Sequence, residues 1–236
     1  MPLHPLVLLS WLDFAAFGYM LIVWYSYSRY AKHRAKQGNK QSLSHSMRLH
    51  RERWVSQMLD REMRVTDSAL LASQERVVGF FASTTLLLLA AVFTAISASG
   101  QIAMLSLELP FATAQSNTQV QTKFMLIAVM LIYAFFQITW SLRQYGFVAV
   151  LMGAAPMPND EMDAESRSKF IQQTARLMDM AGHDNNAGLR AYYFCLSMIF
   201  WLLNPLLYMA AATLIVAVLA QREFKSKTVR TLEGTL

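Results

Sequence analysis

Four apolar runs dominate the chain, at residues 6–27, 78–99, 124–140 and 191–220. A helix needs about 20 predominantly apolar residues to cross about 30 Å of hydrocarbon, and each run meets or nearly meets that length. In lipid only helices and closed barrels satisfy their own backbone. The runs are continuous and show no period-two alternation, so they predict helices. The fold class expected is therefore all-α, an integral membrane protein with four transmembrane helices and cytoplasmic helical extensions. The 236 residues would then form a single helical membrane domain with cytoplasmic loops at 28–77 and 141–190.

Charge sets the expected orientation. Residues 28–77 carry eleven Lys and Arg, residues 141–190 carry five, and residues 100–123 carry only Lys123. The positive-inside rule places the first two loops in the cytoplasm and the amino terminus outside. The first run has its cations behind it rather than before it and lacks a small-residue cleavage pattern, so it reads as an uncleaved anchor in a bacterial inner membrane. The basic 28–77 segment alternates with Glu52, Asp60, Glu62 and Asp67, which favours membrane lipids over nucleic acid as its partner. The tail conflicts with this scheme. Arg222, Lys225, Lys227 and Arg230 fall outside if 191–220 is one span. A hairpin broken at Asn204–Pro205 would return them, but its arms would be only about 20–24 Å long. The preferred reading is one long helix kinked at Pro205.

Between the runs, residues 35–46 read as a polar linker around Gly38 and Asn39. An amphipathic helix is expected from Met47, running on through Leu70 and Leu71 into the second span. The third helix is expected to project past the bilayer to Gly153. A further amphipathic helix over 161–181 should end at Gly182 as its C′ residue. Phe147, Leu151, Phe170 and Leu177 then form apolar stripes expected to join copies of the chain in a homo-oligomer. The loop 101–122 offers no evident site.

Polar groups within the spans are few. Asp13 is the only acidic residue in a run, and intramembrane carboxylates are functional hypotheses by default. Lys123, at the head of the third run, is placed to reach it. Asp13, Lys123, Gln137 and Asn204 form the candidate intramembrane polar site, as a structural pairing or as the lining of a conduit with Ser10 and Thr139. Arg51, Arg143 and Arg190 are candidate contacts to lipid phosphates or a protein partner. No HExxH, P-loop, GxGxxG or GxSxG motif occurs, and the five histidines and single Cys195 lack ligand spacing. No catalytic residue, metal or cofactor is expected.

Four strings resemble an uncharacterised multipass membrane family, domain of unknown function 599. They are His50-Arg51-x-x-Trp54, Gly79-Phe80-Phe81-Ala82-Ser83-Thr84-Thr85, Gly188-Leu189-Arg190-Ala191-Tyr192-Tyr193-Phe194 and Arg222-Glu223-Phe224-x-Ser226. Gly79 departs from the serine expected there. The resemblance implies a multipass helical protein and supplies no activity. The function expected is a homo-oligomeric channel or transport-type protein. The alternative is a non-enzymatic assembly or accessory protein. A conduit should align its polar groups around water, and a scaffold should bury them in pairs.

Overall fold

The computed structural model describes residues 9–36, 43–224 and 231. Among them every regular element is helical: α1 (Trp11–Lys36), α2 (Leu43–Leu59), α3 (Val65–Ser97), α4 (Ser99–Ser106), α5 (Asn117–Gly153), α6 (Ala164–Trp201) and α7 (Pro205–Phe224). Three of these, α3, α5 and α7, are long and apolar enough to cross a membrane. The chain is thus an all-helical protein with the composition of a membrane protein. Residues 6–8 of the first run, residues 37–42 of the expected linker, and Lys225, Lys227 and Arg230 of the tail lie outside the described residues, and residues 43–46 of that linker already belong to α2.

Local chemistry sets the helix starts. Ser10 and Asp13 exchange hydrogen bonds, with the Ser10 hydroxyl accepting from the Asp13 amide and the Asp13 carboxylate accepting from the Ser10 amide. This is a capping box with Asp in the Glu position. Ser116 and Gln119 repeat the arrangement at the head of α5. Asp163 accepts from the Ser166 amide at 2.9 Å to start α6. Asn204 accepts from the Leu206 amide at 2.8 Å to start α7, with Pro205 at the first helical position, where its missing N–H costs nothing.

Two compact units share the longer helices. Unit 1 comprises Met1–His33, Thr84–Ala134 and Leu189–Arg222, and unit 2 comprises Arg34–Ser83, Phe135–Gly188 and Glu223–Leu236. In unit 1, Asp13 meets Trp201 and Trp24 meets Phe194, so α1 and α6 run antiparallel. Asp13 also meets Lys123, and Trp24 meets Tyr133, so α5 runs parallel to α1. Tyr19 bonds Thr213 while Trp201 stacks on Tyr208, which aligns α7 with α1 and against α6. The core is formed by Met20, Ile127, Leu131, Phe194, Met198, Trp201 and Tyr208 among others.

In unit 2, Val55, Met58 and Leu59 of α2 are buried, as are Leu71 and Val78 of α3. Val148 and Met152 of α5 and Ala175, Met178 and Ala181 of α6 are buried too. Of the stripe residues expected to join copies, Phe147 is exposed and Leu151, Phe170 and Leu177 are half-buried, while their neighbours Val148, Met152 and Met178 pack inside this unit. Burying such side chains contributes about 1.5–3 kcal/mol each, which explains why they find partners in their own chain.

Three expectations are corrected. The run 191–220 is not one kinked helix, since α6 ends at Trp201 and α7 begins at Pro205. The hairpin escapes the short-arm objection because α6 starts at Ala164, so its arm extends beyond the apolar run. The amphipathic helix from Met47 does not continue into the second span: α2 stops at Leu59, and α3 restarts at Val65. Gly182 does not end a helix. It is buried mid-α6, where an added Cβ would stand 2.7 Å from Nη2 of Arg51. The missing side chain makes room for a guanidinium, not for a left-handed turn.

Candidate functional site: a buried ion pair beneath the α6–α7 turn

Asp13 and Lys123 form an ion pair of 2.8 Å, with both side chains almost wholly buried. Each charge has further partners. The Asp13 carboxylate accepts from the Ser10 hydroxyl at 2.6 Å and from the Trp201 indole N–H at 2.7 Å. The Lys123 ammonium donates to the Gln115 side-chain oxygen at 2.8 Å and to the Trp201 carbonyl at 3.0 Å. An ammonium has three N–H donors, and Asp13, Gln115 and the carbonyl supply three acceptors. The Trp201 ring stacks on Phe17 and on Tyr208, at 5.5 and 5.0 Å between centroids. Lys123 also lies 5.3 Å from the Trp201 ring centre. A desolvated charge is tolerated only when it is paired and hydrogen-bonded, and both conditions are met.

The same cluster ends α6. The last carbonyls of a helix lack intrahelical donors. Here the Trp201 carbonyl takes Lys123, the Leu202 carbonyl takes the Gln115 amide at 2.6 Å, and the Leu203 carbonyl takes the Thr113 amide at 2.9 Å. In return Asn204 donates to the Phe111 carbonyl at 3.2 Å. Phe111 is the non-glycine residue with positive φ, 68°, among the described residues, and the Asn204 contact holds that carbonyl in place. A cation against a helix C-terminus is also favoured by the macrodipole. The loop expected to carry no site thus holds the α6–α7 turn, and Thr113, Gln115 and Trp201 join the residues read from sequence.

The other candidates separate. Asn204 sits in the turn as a cap. Gln137 belongs to unit 2, while Asp13 and Lys123 belong to unit 1. Thr139 bonds back to the Phe135 carbonyl at 2.8 Å. Arg51 pairs with Asp179 at 2.6 Å. Arg190 is buried, over the Tyr27 ring at 5.5 Å. Arg143 is exposed and lies over Phe147, itself exposed. Leu151, Phe170 and Leu177 are half-buried. Among the described residues no group of three His, Cys, Asp or Glu could hold a metal ion.

Unit 2 has polar contacts of its own. Asp67, fully buried, accepts from Trp54 at 2.7 Å and from Arg61 at 2.5 Å. Arg64 donates to the Ala155 carbonyl at 2.8 Å and to the Pro156 carbonyl. Ser141 donates to the Ala181 carbonyl at 2.7 Å, and Gln144 to Asp184. Among the described residues, several cations of the basic 28–77 segment have partners within the chain: Arg48 pairs with Glu52 at 3.2 Å, Arg51, Arg61 and Arg64 are held as described, and Arg29 lies over the Tyr25 ring.

Three of the four strings that carry the family resemblance lie at these contacts. Arg51 and Trp54 hold Asp179 and Asp67. Thr85 and Tyr192 share a hydrogen bond, and Phe194 packs on Trp24. No curated protein and no solved structure matches the chain. The model of a family described as protein of unknown function, DUF599, matches residues 15–228, and the chain belongs to that family.

Proposed function

We propose that this protein is a non-enzymatic membrane assembly or accessory protein rather than a conduit. One observation carries the reading: the buried charges of unit 1, Asp13 and Lys123, are satisfied by each other and by neutral groups around them, although the Tyr208 hydroxyl beside them is left without a partner. Asp13, Lys123, Ser10, Gln115 and Trp201 form a closed set, Asn204 caps a helix, and Thr139 bonds its own backbone. A path for ions or solutes needs polar groups turned to water along its length. Gln137, the next candidate lining group, belongs to unit 2 and has no part in that set.

The reading includes an orientation. Five passes, by α1, α3, α5, α6 and α7, with the amino terminus outside, leave Arg222 on the side of the basic 28–77 loop. The charge conflict of the tail then disappears. Self-association belongs to the same reading, through the α5 surface where Phe147 and Val150 are exposed.

A cysteine-accessibility scan tests the reading. In a Cys195→Ser background, single cysteines at Gln137 and Thr139 should resist a small water-soluble thiol reagent, while one at the exposed Ser116 should react. Reaction at both Gln137 and Thr139 in the intact membrane would favour a conduit.

A further inference from the structure

Unit 1 contains a crevice of about 370 Å³ among α3, α5 and α6. Its floor is Phe124, Ile127, Leu131 and Cys195, all buried. Its lips are Leu88, Leu196 and Ile199, all exposed. On the α3 side the wall is lowered by Ala91 and Ala95, so the small residues there open a space rather than close a helix contact. The Tyr192 hydroxyl, the one hydroxyl in the lining, is already bonded to Thr85.

We infer that this crevice holds one acyl chain of a bilayer phospholipid. Water is a poor occupant, because an apolar space offers it none of the two to four polar partners that it needs. A helix of a second copy could enter only by single side chains, because the crevice is narrower than a helix body. The lining runs seven residues along α3 (Leu88 to Ala95) and along α5 (Phe124 to Leu131), and ten along α6 (Tyr192 to Leu202). At 1.5 Å per residue the crevice is about 10–15 Å long, so 370 Å³ gives a section of about 25–35 Å². A helix with side chains is about 10–12 Å across and needs about 80–110 Å². The crevice has room for a single flexible hydrocarbon chain. Its lining carries no charge, so it selects the chain and leaves the headgroup free.

The inference needs only that unit 1 lies in a bilayer and holds for scaffold and conduit alike. The test is native mass spectrometry of the full chain released from nanodiscs, with Ala91→Phe and Ala95→Leu as filling variants. Leu87→Phe, on the exposed side of α3, is the control. Wild type and control should each retain one phospholipid per chain, and each filling variant should lose at least tenfold in occupancy. Exchanging phosphatidylglycerol for phosphatidylcholine should not change retention. Should a filling variant fail to fold, a phosphatidylcholine with a mid-chain diazirine gives a second readout on wild type. It should crosslink to Ile127, Leu131 or Leu196. Equal lipid retention by folded filling variants, a bound free fatty acid in place of phospholipid, or a lipid-free dimer split by Ala91→Phe would each overturn the inference. So would crosslinks spread evenly over the lipid-exposed residues.

Discussion

Removing one member of the Asp13–Lys123 pair should cost about as much as removing both, so the two changes should not add. Asp13→Leu leaves the ammonium with only the Gln115 oxygen and the Trp201 carbonyl. Lys123→Met leaves the carboxylate with the Ser10 hydroxyl and the indole N–H. Breaking a buried pair from one side costs about 3–5 kcal/mol, because the remaining charge is uncompensated. The double variant carries no buried charge. It leaves three or four neutral groups short of a partner, at roughly 1 kcal/mol each, and so costs about 3–4 kcal/mol. Independent sites would instead sum to about 6–10 kcal/mol. The coupling energy is therefore expected at about 2 kcal/mol or more in favour of the double variant. Asp13→Asn should be milder than Asp13→Leu, since an amide still accepts from Trp201. The assay is reversible unfolding in mixed micelles by denaturing detergent, followed by tryptophan fluorescence. Additive single and double effects would refute the reasoning, as would singles indistinguishable from wild type.

Other perturbations follow from the same contacts. Gly182→Ala should gain about 1 kcal/mol of helix propensity in an Arg51→Ala background. In the wild type that gain should be offset, because the new methyl displaces Arg51 from Asp179; equal effects in both backgrounds would show that the close approach does not matter. The Ser166 hydroxyl and amide bonds hold the Asp163 carboxyl below the usual carboxylate range. A carboxylate with a depressed folded pKa stabilises above its unfolded value and loses that contribution as pH falls through the folded value. Protection factors at the start of α6, with the intrinsic pH dependence of exchange divided out, should therefore fall on acidification in wild type but not in Asp163→Asn, and a matching pH response in the variant would count against the cap. A reporter fused after residue 236 should face the cytoplasm, and an impermeant reagent should label a cysteine at Ser116 but not at Ser166 on intact cells. The opposite pattern would invert the orientation.

Much of the helical architecture was legible in the sequence because apolar run length is a local property. The single carboxylate of the apolar runs and the single cation of residues 100–123 also stood out locally, and they pair. What local pattern could not show was where the far end of α6 lies. Thr113 and Gln115 cap carbonyls nearly ninety positions away, and no spacing rule links a polar loop to a distant helix end. The same limit hid Trp201, which reads as one more apolar residue until its indole N–H faces Asp13. Asn204–Pro205 was legible as a disturbance, but kink and cap-plus-start share one dipeptide. The choice rested on arm length, and the polar first half of α6 supplied length that an apolar count leaves out. Gly182 was misread for a related reason: glycine marks both helix ends and close approaches, and the guanidinium that decides between them comes from α2.

The most direct test of the scaffold reading is ion flux through purified protein in sealed liposomes, with fluorescent reporters for protons, potassium and chloride. The account predicts leak rates equal to those of protein-free liposomes, for wild type and for folded Asp13→Asn alike. A flux that rises with protein content and disappears in Asp13→Asn would contradict it and make the buried pair part of a pathway.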